Sequence, residues 1–594
     1  MPLLILESLA ANIGFVVVAL ALGEPVLRLA ERVIGAETRP PSLIRFGTAL
    51  LVGFGACAYA GVVLGAVHLF RWQAFVVVGV LAVVFARSIL VGYARAFRWP
   101  RSDVVILLAS AIGLVVAVAQ WLAALAPSEA TDELAYHLPE AHTLADGHVL
   151  HLALGTDRIF GNLPTLVETL YGEALTIRGT ALAHLLHLSI LFAFVLLAVG
   201  VVRALWGGRA AALAGAGILL YSDLLYNATT AYVDAAEASF EAGAVLLLVL
   251  WFVRRDPAHA AGGALLVGLA LSVKYNALVV AALGALLIAS AKDRRLFIGL
   301  CGIVVVTCGY WYGKNLVQFG NPIYPLVFGH PGVSDATYSY FVRNIHSFGP
   351  RTLLNFVEIP TRFAGDANIT ALLGFAIAPL ALFARGPRRA AVLLLVYVVV
   401  YATYWFWVAT HQTRFLYAAV VITIVLAAAA LGAVRGVAGL AAATVLALAL
   451  GIGAQHKTNA FNLHLRSAAD SVLDTPKARY TLGLESRSAY LHRYFGCQVD
   501  AVNELAARGL RGAVALWDLS PNPGYPRANE LEPIKVTAAT TAGVRAQLHG
   551  RGIRFALTQG MPVEQLSSNP AARPILRAAK RFWHTGDCTL YRLP

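Results

Sequence analysis

Residues 104–126 read VVILLASAIGLVVAVAQWLAALA, and residues 131–139 follow with TDELAYHLP. The first stretch is longer than the roughly 20 apolar residues that a helix needs to cross about 30 Å of hydrocarbon. The second places Asp132 and Glu133 beside Tyr136 and His137. Since an ionisable group costs roughly 2.5–3.5 kcal/mol at the centre of a span, this cluster belongs at a membrane boundary. The two stretches predict a membrane helix that ends in a polar loop equipped for chemistry.

Apolar runs of this kind recur along the whole chain. Its 594 residues are 59% hydrophobic and 13% charged, and the mean hydropathy is +0.70. This composition excludes a soluble protein. Roughly fourteen apolar runs, the last at 436–454, predict an all-α polytopic membrane protein. The net charge of +14 does not indicate a nucleic-acid partner, because the basic residues form short clusters between apolar runs.

These basic clusters give the predicted topology. When alternate sides are assigned to the loops, one side collects the short basic loops, which are expected to be cytoplasmic. They carry Arg28, Arg32, Arg39, Arg45, Arg87, Arg95, Arg98, Arg101, Arg203, Arg209, Arg254, Arg255, Lys292, Arg294, Arg295, Arg385, Arg388, Arg389 and Arg435. The long loops 128–180 and 314–368 then face outward, together with the tail after about 455.

From about residue 480 the pattern changes. The apolar runs become short, and segments with the periodicity of a helix alternate with segments that have the periodicity of a strand. Helices are predicted at 499–508 and 541–548, and strands at 512–517, 553–558 and 588–592. These elements predict a small C-terminal α/β domain outside the membrane. Cys497 and Cys588 both lie in this region, where an oxidising compartment would allow them to pair.

The sequence therefore divides into three predicted parts. Residues 1–102 form additional N-terminal transmembrane helices, and 103–455 form a transmembrane catalytic core with its outer loops at 128–180 and 314–368. Residues 456–594 form an extracytoplasmic α/β domain. A break is expected where two short apolar runs meet at 272–276, since polar backbone at membrane depth is tolerated only against protein or a cavity.

Asp132 and Glu133 are the leading catalytic candidates. Transfer of a group to a hydroxyl needs a base, such as a carboxylate, that takes the hydroxyl proton. Neighbouring helical residues point about 100° apart, so only one of the two acids faces such an acceptor. The alternative is a helix N-terminus, with Thr131 or Asp132 as cap and the acids stabilised by the macrodipole. The residues 131–139 alone leave both readings open.

Further motifs decide between them. DELAYHLP at 132–139 is followed in order by GNLPTLVETLY at 161–171, AYVD at 231–234, KY at 274–275, WYGKN at 311–315 with GNPIYP at 320–325, and QTRFL at 412–416. In this order the motifs resemble the GT-C superfamily of polytopic glycosyltransferases. The similarity is strongest to the bacterial branch related to protein O-mannosyltransferases and lipid A aminoarabinose transferases, and it covers about 103–435.

The resemblance implies a polyprenyl-phosphate sugar as donor, whose phosphate leaving group needs preorganised cations. Donor-phosphate candidates are Lys274, Tyr275, Lys314, Arg414 and His411. Lys314 stands where the family usually has arginine, so bidentate phosphate binding is lost there while the charge remains. Headgroup snorkelling is the alternative for each of the three cations.

Asp234 is the second acid that the resemblance implies, with Tyr136 and His137 as further candidates on the acceptor side. A solvated loop carboxylate that caps the next helix is the alternative for Asp234, and a hydrogen-bonded structural residue is the alternative for His137. No metal template is present, and a divalent cation held by Asp132 and Asp234 is left open. Asp223 and Glu237 are weaker candidates because neither occupies the family position.

Together these observations predict an inverting membrane glycosyltransferase with Asp132 as general base. It would move a sugar from polyprenyl phosphate to a glycan, lipid or protein acceptor on the outer face of the bacterial cytoplasmic membrane. The competing hypothesis is a polytopic transporter or lipid-carrier flippase. The sequence favours the enzyme, because the acids and cations fall on one predicted membrane face and the two halves of the chain do not mirror each other.

Overall fold

The computed structural model describes residues 2–40, 42–96, 103–148, 159–333, 335–346, 350–360, 369–434, 476–509, 513–517, 531–534, 540–550, 553–559, 569–586 and 588–594. Contacts divide the chain into two compact units. The first comprises Met1–Leu125 and Glu140–Ala478, and the second comprises Ala126–Pro139 and Arg479–Pro594. The three-part division predicted from the sequence concerns roles and stays a prediction.

The first unit is an all-α polytopic membrane domain. Its helices are Pro2–Val33, Leu43–Ala66, Trp72–Phe85, Arg87–Ala96, Val104–Ala123, Leu166–Ile177, Thr180–Trp206, Gly208–Leu219, Ser222–Ala228, Asp234–Arg254, Pro257–Leu271, Leu278–Ala289, Arg294–Phe319, Asp335–His346, Leu353–Val357, Ile369–Ile377, Arg388–Trp407 and Tyr417–Gly432. A further helix, Leu138–Gly147, crosses the boundary between the units.

Within the described residues, eight helices are long and apolar enough to cross a membrane, or nine if the bent pair Trp72–Phe85 and Arg87–Arg95 is one span. Four shorter apolar helices occupy other predicted runs, at Gly208–Leu219, Pro257–Leu271, Tyr275–Ala289 and Thr370–Phe383. The predicted run at 436–454 lies outside the described residues. The polytopic prediction is confirmed, although helix length alone gives fewer spans than the fourteen apolar runs.

The helices Thr180–Trp206, Asp234–Arg254 and Tyr417–Gly432 form the centre of this unit and are buried along most of their length. Burial on nearly every side is typical of spans surrounded by other helices. The helix Arg294–Phe319 instead exposes Val306 and Val317 almost completely. Large apolar side chains on an outer helix fit a lipid environment.

The N-terminal helices pack closely on this centre. A Cβ atom added to Gly23 would lie 1.8 Å from the carbonyl oxygen of Ala49, and one added to Gly53 would lie 1.8 Å from that of Ala19. Small residues at a crossing let two membrane helices approach at backbone distance. The helix Leu43–Ala66 then contacts Thr180–Trp206, where a Cβ on Gly47 would meet the backbone of Leu197 at 2.5 Å.

Two ion pairs between loops support the predicted alternation of sides. Arg39 donates to Asp256 over 2.9 Å, and Arg209 donates to Asp103 over 2.7 Å. Each pair joins two loops that the arginine pattern assigns to one membrane face. The loops around 34–42 and 255–256 therefore share one face of the unit, as do those around 103 and 207–209.

Arg45 differs from the other arginines of the predicted cytoplasmic loops, because it lies in the helix Leu43–Ala66 and is buried. Its guanidinium is 5% exposed and donates to Glu24 over 2.7 Å and to Glu31 over 2.6 Å. Arg28 and the hydroxyl of Tyr93 also donate to Glu24, over 2.8 and 2.7 Å. The network is satisfied internally, which is what burial of charged groups requires.

The second unit contains a five-stranded sheet with the order β2-β1-β3-β5-β4. The strands are β1 Ala513–Trp517, β2 Leu531–Ile534, β3 Ile553–Gln559, β4 Lys580–Thr585 and β5 Cys588–Arg592. β1 is parallel to β2 and β3, whereas β5 is antiparallel to β3 and β4. The α-helices in this part of the chain are Pro476–Thr481, Arg487–Phe495, Cys497–Ala507, Thr541–Gly550 and Arg573–Arg577. The α/β prediction is confirmed.

Apolar clusters form around this sheet, and Cys497 is bonded to Cys588 in a disulfide. Phe555 and Leu557 of β3 belong to one cluster, whereas Ala556 between them belongs to another. This alternation follows from the two-residue period of a strand. The disulfide therefore connects a helix to the sheet at the first of these clusters.

The buried Arg45 network gives a stability prediction. Arg45→Ala should lower the free energy of unfolding by about 3–5 kcal/mol, because Glu24 and Glu31 would stay buried without their main partner. Arg39→Ala is the matched control, since Arg39 is 50% exposed and exposed pairs contribute about 0–1 kcal/mol. Denaturant unfolding in detergent micelles measures both variants. Equal losses in the two would contradict the network's importance.

Candidate active site

The helix Asp234–Arg254 opens the candidate site. Asp234, Glu237 and Glu241 lie at spacings of three and four residues and therefore share one face of the helix. All three are buried, and Asp234 is only 1% exposed. Asp234 and Glu237 fall in the first turn, where the helix dipole favours negative charge. An otherwise apolar membrane helix thus begins with a row of acids that points into protein.

Two side chains, those of Asn227 and His187, fix the start of this helix. Asn227 accepts from the backbone N–H of Ala235 over 2.9 Å and donates to Asp234 Oδ2 over 3.2 Å. Nε2 of His187 accepts from the N–H of Ala236 over 3.0 Å, so Nδ1 carries the proton that bonds the carbonyl of Thr230 at 2.8 Å. Orphan N–H groups of the first turn are thereby satisfied. The position of Asp234 is determined by the backbone around it.

Two of the predicted cations meet at Asp234. Lys274 Nζ forms an ion pair with Oδ1, and Arg414 Nε lies 4.0 Å from Oδ2. Lys274 comes from the predicted break between the helices Pro257–Leu271 and Leu278–Ala289, and Arg414 from a short 3-10 turn before Tyr417–Gly432. Their side chains are 17% and 18% exposed. Three motifs that lie far apart in sequence therefore converge on one carboxylate.

Aromatic rings surround these cations. Phe415 lies 4.2 Å from Lys274 Nζ and 5.3 Å from the guanidinium carbon of Arg414, measured to the ring centre. The ring of Tyr232 lies 5.4 Å from the same guanidinium. Cations are attracted to aromatic faces within about 6 Å, and more strongly where water is displaced. The rings hold both cations while keeping the surroundings apolar.

This arrangement is suited to an anion such as phosphate. A guanidinium can bind a phosphate through two parallel hydrogen bonds, whereas an ammonium acts as a point charge. In surroundings of low dielectric constant both interactions are stronger than in water. The cluster formed by Asp234, Lys274 and Arg414, termed here the ion cluster, therefore has the chemistry expected at the donor phosphate.

Acids deeper in the same helix were underestimated from the sequence. Glu237 Oε2 lies 4.0 Å from Lys274 Nζ, and Glu241 accepts from the hydroxyl of Tyr401 over 3.0 Å. The sequence motifs favour Asp234 over Glu237 and do not single out Glu241. The available signal was the rarity of acids inside spans, which marks them as functional candidates.

Tyr275 follows Lys274 in the sequence, and its hydroxyl is bonded by Asn315, the residue after Lys314. The amide of Asn315 donates to the hydroxyl of Tyr275 over 3.1 Å and to the carbonyl of Asn162 over 2.8 Å. Tyr275 in turn donates to the carbonyl of Tyr324 over 2.9 Å. Lys314 itself packs near Trp311, with 5.8 Å to the ring, and interacts electrostatically with Glu140. Its role at the donor phosphate stays a prediction.

His411 occupies an aromatic environment. Its Nε2 lies 2.7 Å from the carbonyl oxygen of Phe406, and its ring stacks on that of Phe406 with 4.5 Å between centres. Trp405 bonds the carbonyl of Gln412 over 2.9 Å. These contacts support the loop that leads to Arg414. A direct role of His411 at phosphate stays a prediction.

The segment with Asp132 belongs to the second unit and folds as a helix with a π-helical turn at Glu133–His137. π-Helical turns are rare in proteins overall, but those that occur are often found at functional sites. Tyr136 donates to Asp132 Oδ2 over 3.1 Å, and Asp132 is partly exposed. Glu133 is 0% exposed and accepts from the backbone N–H of Ala130 at 3.4 Å. Of the two adjacent acids, Asp132 is the one that a substrate can reach.

His137 is buried next to Tyr136, with 4.1 Å between ring centres. Among the described residues, no group of three or more His, Cys, Asp or Glu side chains is placed to hold a metal ion. Asp132 and Asp234 belong to different compact units, and a cation shared by them stays a prediction. His142 faces Asp146 at 3.8 Å.

Comparison with known proteins finds similarity only at the level of solved structures. No protein-family model and no curated protein matches the chain. The solved structure of ArnT from Cupriavidus metallidurans bound to undecaprenyl phosphate shares 16% identity, covers 82% of this chain and 97% of its own, and has a TM-score of 0.48.

A second solved structure also has similarity to this chain. The Archaeoglobus fulgidus oligosaccharyltransferase in complex with zinc and sulfate shares 13% identity, with 77% of this chain and 68% of its own covered and a TM-score of 0.42. At these scores no residue role is transferred from either structure to this chain. The proposed roles of residues in this chain therefore depend on their motifs and on the geometry of the ion cluster.

The acid at Glu241 gives a second stability prediction. Tyr401→Phe should lower the free energy of unfolding by about 1–3 kcal/mol, because a buried carboxylate loses its hydrogen-bond donor. Tyr397→Phe is the matched control: the ring lies one turn away at 5.5 Å, and within the described residues its buried hydroxyl has no hydrogen-bond partner. Unfolding in detergent should leave the control unchanged. A larger loss of unfolding free energy in Tyr397→Phe than in Tyr401→Phe would refute the stabilising role of the hydrogen bond from Tyr401 to Glu241.

Proposed function

We propose that this protein is a membrane glycosyltransferase that moves a sugar from a polyprenyl-phosphate donor to a glycan, lipid or protein acceptor. The single observation that carries the proposal is the ion cluster. Lys274 and Arg414 approach opposite oxygens of one buried carboxylate, and all three residues belong to motifs that resemble those of GT-C enzymes. A transporter reading gives no reason for these motifs to converge.

In this proposal Lys274 and Arg414 bind the donor phosphate and stabilise the charge that develops on it as the glycosidic bond breaks. Electrostatic stabilisation of this kind is strongest where the donors are fixed before reaction and water is excluded. Asp234 holds the two cations in place between turnovers. Phe415 and Tyr232 lie against the cations and favour apolar surroundings suited to a lipid-linked substrate.

Asp132 is proposed as the general base. It takes the proton from the acceptor hydroxyl while the acceptor oxygen attacks the anomeric carbon and the polyprenyl phosphate leaves, which inverts the configuration. Two observations support Asp132 over Glu133. Tyr136 orients one oxygen of Asp132, and Glu133 is buried against the backbone of its own turn.

The proposed location is the bacterial cytoplasmic membrane, with the ion cluster and the C-terminal α/β unit outside. The arginine-rich loops support this orientation, because such loops stay cytoplasmic. The Cys497–Cys588 disulfide also supports it, since disulfides persist in oxidising compartments.

The base assignment is tested by two neighbouring substitutions. With a polyprenyl-phosphate sugar and an acceptor, Asp132→Asn should reduce release of polyprenyl phosphate by at least roughly 100-fold, the usual contribution of general base catalysis. Glu133→Gln should keep most of the activity, because the amide oxygen still accepts from Ala130. Mass spectrometry of the released lipid phosphate measures both. Full turnover by Asp132→Asn would remove the base assignment.

The donor site is tested separately. Lys274→Met should raise the KM for the donor by roughly 10- to 100-fold, since a charged hydrogen bond contributes about 1.5–3 kcal/mol. Arg295→Met is the matched control, because it removes one positive charge from an exposed residue in the first turn of the helix Arg294–Phe319, which the predicted topology assigns to the cytoplasmic side. Steady-state kinetics over donor concentration compare the two. An unchanged KM in Lys274→Met would remove Lys274 from the donor site.

A further inference from the structure

The segment Ala126–Pro139, which carries Asp132, is part of the C-terminal unit rather than of the membrane unit that surrounds it in sequence. It is joined to residues more than 350 positions further along the chain, with a sequence separation of 361 for one hydrogen bond. The proposed base is therefore held by the α/β unit.

The first contact is apolar. Ala126 is buried in the same cluster as Tyr490, Leu491 and Cys588. Side chains of the helix Arg487–Phe495 thus pack against the beginning of the segment. Because Cys588 in this cluster is bonded to Cys497, the cluster is also covalently braced.

The second contact is polar. The hydroxyl of Tyr490 donates to Glu129 Oε2 over 3.2 Å, and the carbonyl oxygen of Pro127 lies 3.5 Å away. Tyr490 is 0% exposed. Burial and the negative charge of Glu129 raise the pKa of Tyr490 well above its usual value. The hydroxyl therefore remains a donor at every physiological pH, and the contact does not act as a pH switch.

The anchored Glu129 is connected to Asp132 by a short, hydrogen-bonded helical stretch. Glu129 precedes the helical turn in which Glu133 accepts from the N–H of Ala130 at 3.4 Å. In the same turn Tyr136 donates to Asp132 over 3.1 Å. Asp132 lies only three positions after the anchored Glu129, and the hydrogen bonds in this stretch restrict the backbone. Motion at Glu129 would be transmitted directly to the carboxylate.

We propose that Tyr490 is a positioning residue: through its hydrogen bond to Glu129, the C-terminal α/β unit holds the Asp132 segment in its reactive geometry. The unit is then required for the rate of the reaction and does more than cover the protein or recognise the acceptor. The kinetic consequence rests on the proposed function, whereas the anchoring itself does not.

The experiment uses the full-length protein in detergent and two measurements. Hydrogen exchange followed by mass spectrometry reports on peptides covering 126–139. Release of polyprenyl phosphate from a polyprenyl-phosphate sugar reports on kcat and KM. Tyr490→Phe keeps the ring in the core and removes only the hydroxyl. Tyr480→Phe is the matched control, because its ring lies in the same cluster, 5.3 Å from Tyr490.

Tyr490→Phe should speed exchange in 126–139 and lower kcat by roughly 10- to 100-fold, since small misplacements of a catalytic group cost this much. The KM for the donor should stay within about twofold, because the proposed donor cations lie outside this unit. Glu129→Ala should have the same effects and be non-additive with Tyr490→Phe. Glu129→Gln, which keeps an acceptor, should restore slow exchange and most of the rate. Tyr480→Phe should change neither measurement.

Two results would overturn the inference. Unchanged exchange and kcat in Tyr490→Phe would show that the hydroxyl does not hold the segment. Exchange that rises equally throughout 479–594 would show that Tyr490 only stabilises the domain core. If the wild-type protein releases no polyprenyl phosphate, the proposed function fails, while the exchange measurements still decide the anchoring.

Discussion

The pairing of one buried carboxylate with two cations is the constraint on which the membrane unit depends. Asp234 begins a central helix and is almost completely removed from water. An ionised carboxylate in such a place costs several kcal/mol unless it is paired and hydrogen-bonded. Lys274, Arg414 and Asn227 supply those partners. The loops that carry them must therefore meet at the start of this helix.

The surrounding structure serves this meeting point. His187 and Asn227 bond the first-turn N–H groups of the helix, and the hydroxyl of Tyr171 bonds the carbonyl of Tyr232. Buried ion pairs add little stability compared with apolar packing of the same volume. A cluster maintained at this cost favours a role in binding or catalysis. The deeper acids Glu237 and Glu241 extend the same polar face into the span.

The sequence predicted those features that depend on local pattern. Apolar runs located nearly all described membrane helices, and alternation located β1, β3 and β5 to within a residue or two. β2 was missed because it has four residues with Pro533 among them, and proline weakens a strand pattern. β4 was missed because its mixture of basic and aromatic residues has no clear apolar alternation.

The candidate site shows the same division. Lys274 and Arg414 are predicted as donor-phosphate cations, and Asp234 as the second acid, because each lies in a recognisable motif on one predicted membrane face. Neither the π-helical turn after Asp132 nor the buried pairing of Arg45 has a local signature. The contact between Tyr490 and Glu129 joins residues 361 positions apart, and nothing in either neighbourhood encodes the other. Long-range packing decides such contacts, and a single sequence does not display it.

The central claim is that Lys274 and Arg414 form the binding site for a lipid-linked phosphate. A density map of the detergent-solubilised protein incubated with polyprenyl phosphate tests it most directly. If Lys274 and Arg414 bind the phosphate, its density will lie within hydrogen-bonding distance of both side chains, next to Asp234. Phosphate density elsewhere in the membrane unit, with the ion cluster unchanged and unoccupied, would contradict it.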